Sequence, residues 1–120
     1  MRQPKKDEYV KVDLNGKPIG APVGVKNDNG KVMGQLLGDF SRALTGVAEV
    51  GTFGAHKYTR GGWQHVLDAE QRYYDALWRH LLQANQEETD SESGLSHLEH
   101  AAWNILAVIE LKKRATNAPH

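Results

Sequence analysis

Apolar residues recur at three- and four-residue intervals in three stretches of the chain. From Asp39 onward, Phe40, Ala43, Leu44, Val47, Ala48 and Val50 keep helical spacing, and Asp39 stands where an N-cap is expected. Gly51 and Gly54 fall on the same side, where the lack of a side chain lets another backbone approach, and Gly61-Gly62 closes the segment beyond Lys57-Tyr58. The spacing predicts a second helix from about Asp68 to Ala84, with Tyr73, Leu77, Leu81 and Ala84 inward. A third is predicted to run to about Arg114, with Leu98, Ala101, Ala102, Ile105 and Ile109 as its core face. Ser96 followed by Glu99 has the form of a capping box at its start, and Lys112, Lys113 and Arg114 favour the negative pole of its dipole.

The text before about residue 35 is different: polar, and dense in glycine and turn residues. Tyr9 to Leu14 alternates and is followed by Asn15-Gly16, a dipeptide that tolerates the positive φ angles of a tight hairpin. Pro18, Gly20, Pro22 and Gly24 make the return strand irregular, and Asn27-Asp28-Asn29-Gly30 is a second turn. The segment from Asn85 to Gly94 is an acidic, polar linker. The expected fold is therefore mostly α: a small helical bundle of about three main helices with an N-terminal β-hairpin arm. Its expected division is an arm over 1–35, a helical body over 36–114 and a tail over 115–120. A chain of 120 residues with three helices and a loose arm has a thin core, so a homo-oligomer is expected.

Charge changes this picture only by exclusion. Fifteen basic residues balance 15 acidic ones, so the basic excess that sequence-unspecific binding to a nucleic-acid polymer requires is missing. There is no cysteine, hence no disulfide framework and no thiolate metal site, and a reducing compartment such as the cytoplasm is expected. No apolar run approaches the length of a membrane span, and no apolar segment follows the basic start, so no membrane partner is expected.

Two polar rows interrupt the helical patterns. At 100° per residue, His97, His100 and Asn104 fall within about 60° of one another, beside the apolar face of the third helix. On the second helix, Arg72, Asp75 and Arg79 repeat the i, i+3, i+7 spacing, with His80 flanking the row towards the core. Two helices side by side bring such rows across one cleft. The same spacing also fits a solvated face with an i, i+4 ion pair, and a boundary histidine bonded to a backbone carbonyl. His-x-x-His permits two metal ligands on one side, but the zinc-hydrolase His-Glu-x-x-His is absent. So are the phosphate-binding Gly-rich loop, the Gly-x-Ser-x-Gly elbow and a cysteine nucleophile. Trp63, Trp78 and Trp103 offer stacking surfaces for a base, but aromatics at helical spacing are more often core.

Taken in order, KNDNGK (26–31), GTFGAHKYTRGGW (51–63), RYYDALWRHLL (72–82) and DSESGLSHLEHAAWNILAVIEL (90–111) resemble the phage-associated dATP/dGTP diphosphohydrolase N-terminal domain family. The resemblance implies cleavage of a purine deoxynucleoside triphosphate to monophosphate and pyrophosphate, in the cytoplasm of an infected bacterial host, and a relation to MazG-type pyrophosphohydrolases. It implies that Lys57, Arg72 and Arg79, with Trp63, bind the purine nucleotide. It also implies that Asp75, His80, His97, His100 and Asn104 orient a Mg²⁺ ion, a water or the base, with Asp75 as the metal ligand. Cations and carboxylates together suit a triphosphate carrying Mg²⁺. The paired Glu-x-x-Glu and Glu-x-x-Asp motifs of MazG-type enzymes are absent. Their absence leaves open a non-catalytic phage protein that sequesters a nucleotide or nucleotide-derived defence signal.

Overall fold

The computed structural model describes residues 27–117, together with residues 14, 15 and 24. Contacts divide the chain into two units, Met1–Leu36 and Leu37–His120. In the first unit Leu14 and Asn15 form a turn, and a second turn is closed by the Lys31 amide donating to Asp28 O at 2.9 Å. Asn27 Oδ1 accepts from the Asn29 amide at 3.2 Å, and Gly30 takes a φ of 77° that few other residues adopt. Both turns fall where Asn-Gly punctuation places them. The strands of the expected β-hairpin lie outside the described residues; among those described there is no strand, only an isolated antiparallel bridge between Thr89 and Ser96.

A 3-10 helix over Gly34–Phe40 leads into α1 (Ser41–Lys57), followed by a 3-10 turn Gly62–His65, α2 (Ala69–Ala84) and α3 (His97–Asn117). Asp39 is not the N-cap of α1. It lies in the 3-10 helix, Phe40 occupies the cap position without a side-chain bond, and Ser41 Oγ turns back to donate to Gly38 O at 2.7 Å. Asp68 does precede α2, but with φ 54° its side chain caps nothing. The start of α3 is a complete capping box: Ser96 Oγ accepts from the Glu99 amide at 3.2 Å, and Glu99 Oε1 accepts from the Ser96 amide at 3.3 Å. Helix α3 continues three residues past Arg114, the end expected from its basic residues.

The main packing is α2 against α3, with α1 laid on α3. Glycines set the second contact. A methyl group at Gly46 would overlap the Glu99 carboxylate, and one at Gly51 would lie 3.0 Å from Trp103 Nε1, whereas Gly54 faces open space. At the end of α2 nearest Gly62–His65, Trp63 and Tyr73 each meet Trp103 edge to face, with Tyr73 and Trp103 centroids 5.5 Å apart, and are tilted to each other. Burial keeps the Tyr73 hydroxyl protonated, with its pKa above the ordinary value, and that hydroxyl donates to Trp63 O at 2.6 Å.

The buried side of α3 is rotated from the expected one. Ala101, Ala107 and Val108 are buried, but so are His97, His100 and Asn104, while Leu98 is 62% exposed and Ile109 42%. The seam thus runs through the polar row itself. Small residues, Ala101 and Ala107, share the buried side with the polar row, and the wide apolar Leu98 and Ile109 point elsewhere. Among described residues the buried apolar set is short: Val47, Val50, Leu77, Ala101, Ala107 and Val108. Local terms such as the cap therefore matter. Replacing Ser96 by Ala is expected to cost about 1 kcal/mol. In a chain of this size that lowers Tm by roughly 3–8 °C in a thermal melt; an unchanged midpoint would mean that the box contributes nothing.

Candidate functional site

The segment expected as a linker is a tightly bonded loop that builds one wall of the site. Gly94, with φ 73°, donates its amide to Asp90 O at 2.8 Å, and the Asp90 amide donates to Leu95 O at 2.8 Å. Asp90 Oδ2 in turn accepts from the amides of Ser93 at 2.9 Å and Glu92 at 3.1 Å. This Asx-turn fixes the carboxylate from its own backbone. The His97 amide donates to Glu88 O at 2.9 Å, tying the loop to the first residue of α3.

Three imidazoles meet beside Asp90. His80 Nδ1 and His97 Nδ1 are 2.9 Å apart, so one ring carries the proton between them. His80 stacks on His100 with centroids 4.5 Å apart and planes 12° from parallel. His100 Nε2 is 2.7 Å from Ser93 Oγ, which also accepts from the Leu95 amide at 3.1 Å. One turn further on, Asn104 Nδ2 donates to His100 O at 2.8 Å, so its amide braces the helix beneath the histidine. His97 is 1% exposed, and its Nε2 has no hydrogen bond; the nearest acceptor is Glu87 Oε1, at 3.5 Å.

Burial, with His100 and His97 as cationic neighbours, pushes the His80 pKa below its ordinary value, although Asp90 opposes this. Burial also lowers that of His100, again against Asp90. Burial alone would raise Asp90, but the bonds from Ser93, the nearby His100 and the Glu92 amide outweigh it and hold the carboxyl below the usual range. At neutral pH the site therefore sets the Asp90 carboxylate beside the neutral imidazoles of His80 and His100.

The other expected residues lie elsewhere or at the rim. Arg72, Asp75 and Arg79 are all exposed, and Asp75 is about 140° round α2 from His80 at 100° per residue. The structure does not bring Asp75 to the histidines. It accepts from Gln71 Nε2 at 3.3 Å, and among described residues no ion pair joins it to Arg72 or Arg79. The two polar rows therefore do not face each other across a cleft. Lys57 is exposed at the end of α1 and pairs with Glu92, two residues from Asp90, which raises its pKa. Trp63 is spent on Tyr73, Trp103 and the Arg114 guanidinium, 5.5 Å from its ring. Asp90 and Ser93 were not among the expected site residues; the Asp-x-x-Ser-Gly sequence of an Asx-turn was their only signal. His80, Asp90 and His97 each present a ligand atom within 4.8 Å of the others, a grouping able to hold a metal ion. Beside it, an open depression of about 250 Å³ is lined by Ala84, Glu87, Glu88, Ser96 and Leu98. Among the described residues, no helix is long and apolar enough to cross a membrane.

A family model described as dATP/dGTP diphosphohydrolase, N-terminal, matches residues 22–119. No curated protein and no solved structure matches the chain.

The lowered histidine values set a pH dependence. Between those values and the ordinary 6.5, the unfolded chain binds more protons than the folded one, so stability is complete above pH 6.5 and declines as pH falls. Proton uptake by both His80 and His100 also sets two stacked cations face to face. With EDTA present, Tm is expected to fall between about pH 7.5 and about pH 5.5, and less steeply in His80→Gln. A midpoint that holds or rises over that interval contradicts the neutral cluster.

Proposed function

The chain belongs to the dATP/dGTP diphosphohydrolase N-terminal family, and from that premise we propose that it binds a purine deoxynucleoside triphosphate and hydrolyses it at the histidine cluster. The observation that carries this reading is the convergence of His80, His97, His100 and Asp90 where α2, α3 and their loop meet, a polar site within an otherwise small core. In the reaction, water adds to the α-phosphorus and the bond to the bridging oxygen of the β-phosphate breaks. The products are monophosphate and pyrophosphate, and the water proton leaves through the site. Neutral imidazoles accept such a proton, and the fixed Asp90 carboxylate stabilises the imidazolium that results.

The triphosphate arrives with Mg²⁺ as its counterion. The cluster itself is rich in nitrogen donors and a poor seat for Mg²⁺, which prefers oxygen, so no step is assigned to this ion on the protein. Lys57 and Arg79 flank the cluster, one through Glu92 and the other beside His80, and supply the cations for the phosphate chain. Arg72, on the same exposed face of α2 as Arg79, extends that surface. The absent Glu-x-x-Glu motif favours a second reading, a phage protein that holds the nucleotide without cleaving it. Exposed Trp78, Leu82, Leu98 and Leu106 further support self-association.

Incubation with each deoxynucleoside triphosphate and a divalent cation, followed by separation of products, is expected to give dAMP or dGMP plus pyrophosphate. Binding with unchanged ligand would select the sequestering reading, and neither binding nor products would remove both. Arg79→Ala is expected to weaken nucleotide binding by about 1.5–3 kcal/mol, tenfold or more, at unchanged Tm. Equal affinity in calorimetry would return Arg79 to a solvated surface.

A further inference from the structure

We infer that His80, Asp90 and His97 form a three-ligand site for a zinc-type transition-metal ion, with Glu87 as its outer carboxylate. The proposal stands on coordination geometry and is independent of nucleotide hydrolysis. Zinc bound by imidazole nitrogens at about 2.0–2.1 Å in a tetrahedron keeps its donors about 3.3 Å apart. His80 Nδ1 and His97 Nδ1 are 2.9 Å apart, and all three ligand atoms lie within 4.8 Å, so changes in their separations of at most about 1.5 Å bring them onto one ion. Without an ion, one of the two facing nitrogens has to carry a proton; with it, both lone pairs are used.

The second observation is the buried His97 Nε2. A histidine that ligates through one nitrogen almost always donates its other N–H to a carboxylate, carbonyl or water, and this fixes the ring. His97 Nε2 lacks any hydrogen bond, lies 3.5 Å from Glu87 Oε1, and needs only a movement of that exposed side chain to close the bond. A third is the rigidity of the oxygen donor, since Asp90 is fixed by the amides of Glu92 and Ser93 on Oδ2 and its lone pairs are not exhausted. His100, stacked on His80 and bonded to Ser93, is a positioning residue between the nitrogen and oxygen sides of the site.

The donor set selects the ion. Two imidazoles and a carboxylate suit Zn²⁺, Fe²⁺ and Co²⁺, whereas Mg²⁺ demands oxygen ligands and keeps its waters. Three protein ligands leave a fourth position open to water or to a phosphate oxygen, the form of zinc sites that do chemistry.

The test uses the full chain stripped with EDTA and titrated by calorimetry with Zn²⁺ and, separately, Mg²⁺, with Co²⁺ absorption as a geometric readout. One Zn²⁺ per chain is expected, at least 100-fold tighter than Mg²⁺, with a rise in Tm and intense tetrahedral Co²⁺ bands. His97→Gln and Asp90→Asn should each weaken Zn²⁺ at least tenfold, Glu87→Gln about 10–100-fold, and His56→Gln, at an exposed histidine, should change nothing. Should His97→Gln not fold, His80→Gln reads the same site. Absence of stoichiometric Zn²⁺ binding, equal preference for Mg²⁺, or binding unaffected by both His80→Gln and Asp90→Asn overturns the proposal. Zinc binding without triphosphate cleavage upholds the site and removes the hydrolase reading; cleavage without zinc binding does the reverse.

Discussion

The contact on which the site depends is the burial of two imidazoles, His97 and His100, and the Asn104 amide in the seam between α2 and α3, with half-buried His80 against them. Polar groups removed from water cost several kcal/mol unless bonded, and here nearly every one is answered locally. His80 faces His97, His100 meets Ser93, and Asn104 meets the carbonyl of His100. One atom is left, His97 Nε2, at an expense of about 1–3 kcal/mol. A seam made only for stability would place leucines there, and the chain has them, pointing outward at Leu98 and Leu106.

That inversion explains the rest of the architecture. Because the seam is narrow and partly polar, the loop over residues 85–96 has to be held by its own hydrogen bonds, with Gly94 and the Asx-turn of Asp90 doing the folding. The capping box at Ser96 and Glu99 sets where α3 begins, and so the height of His97 against His80. Glu99 is also the group that Gly46 makes room for, so α1 is seated on the cap of the helix that carries the site. Lys57, at the far end of α1, pairs with Glu92 and brings a cation to the same loop.

Much of this was legible in the sequence, and the part that was not has a physical reason. Helix α2 is readable from its apolar spacing, and the start of α3 because capping chemistry is local: Ser96 and Glu99 need only each other. The phase of α3 was not, because Leu98 and Ile109 outweigh His97 and Asn104 in any hydrophobic tally, although burial went the other way. His80 lies towards the core side of α2, a position its own helix's spacing determines, and the packing of α2 on α3 sets it against His97 and His100. Asp90 is not legible as a site residue, because a carboxylate in a polar stretch looks solvated until its bonds to the amides of Glu92 and Ser93 are seen. Asp75 shows the converse: it keeps the spacing of a functional row and yet stands on the solvent side of α2. Spacing places residues on one face, but only packing decides which way that face looks.

If the buried polar seam is kept for chemistry and not for stability, replacing it by apolar groups of similar volume should separate the two. The most direct measurement is Tm and ligand binding on one sample of the double variant His80→Leu, His97→Leu. Removing the facing polar pair together, instead of orphaning one partner, is expected to leave Tm equal or higher, while zinc and nucleotide binding are lost. A Tm lowered by 10 °C or more, roughly 2 kcal/mol or above in a domain of this size, with binding retained, would show instead that the histidines hold the helices together.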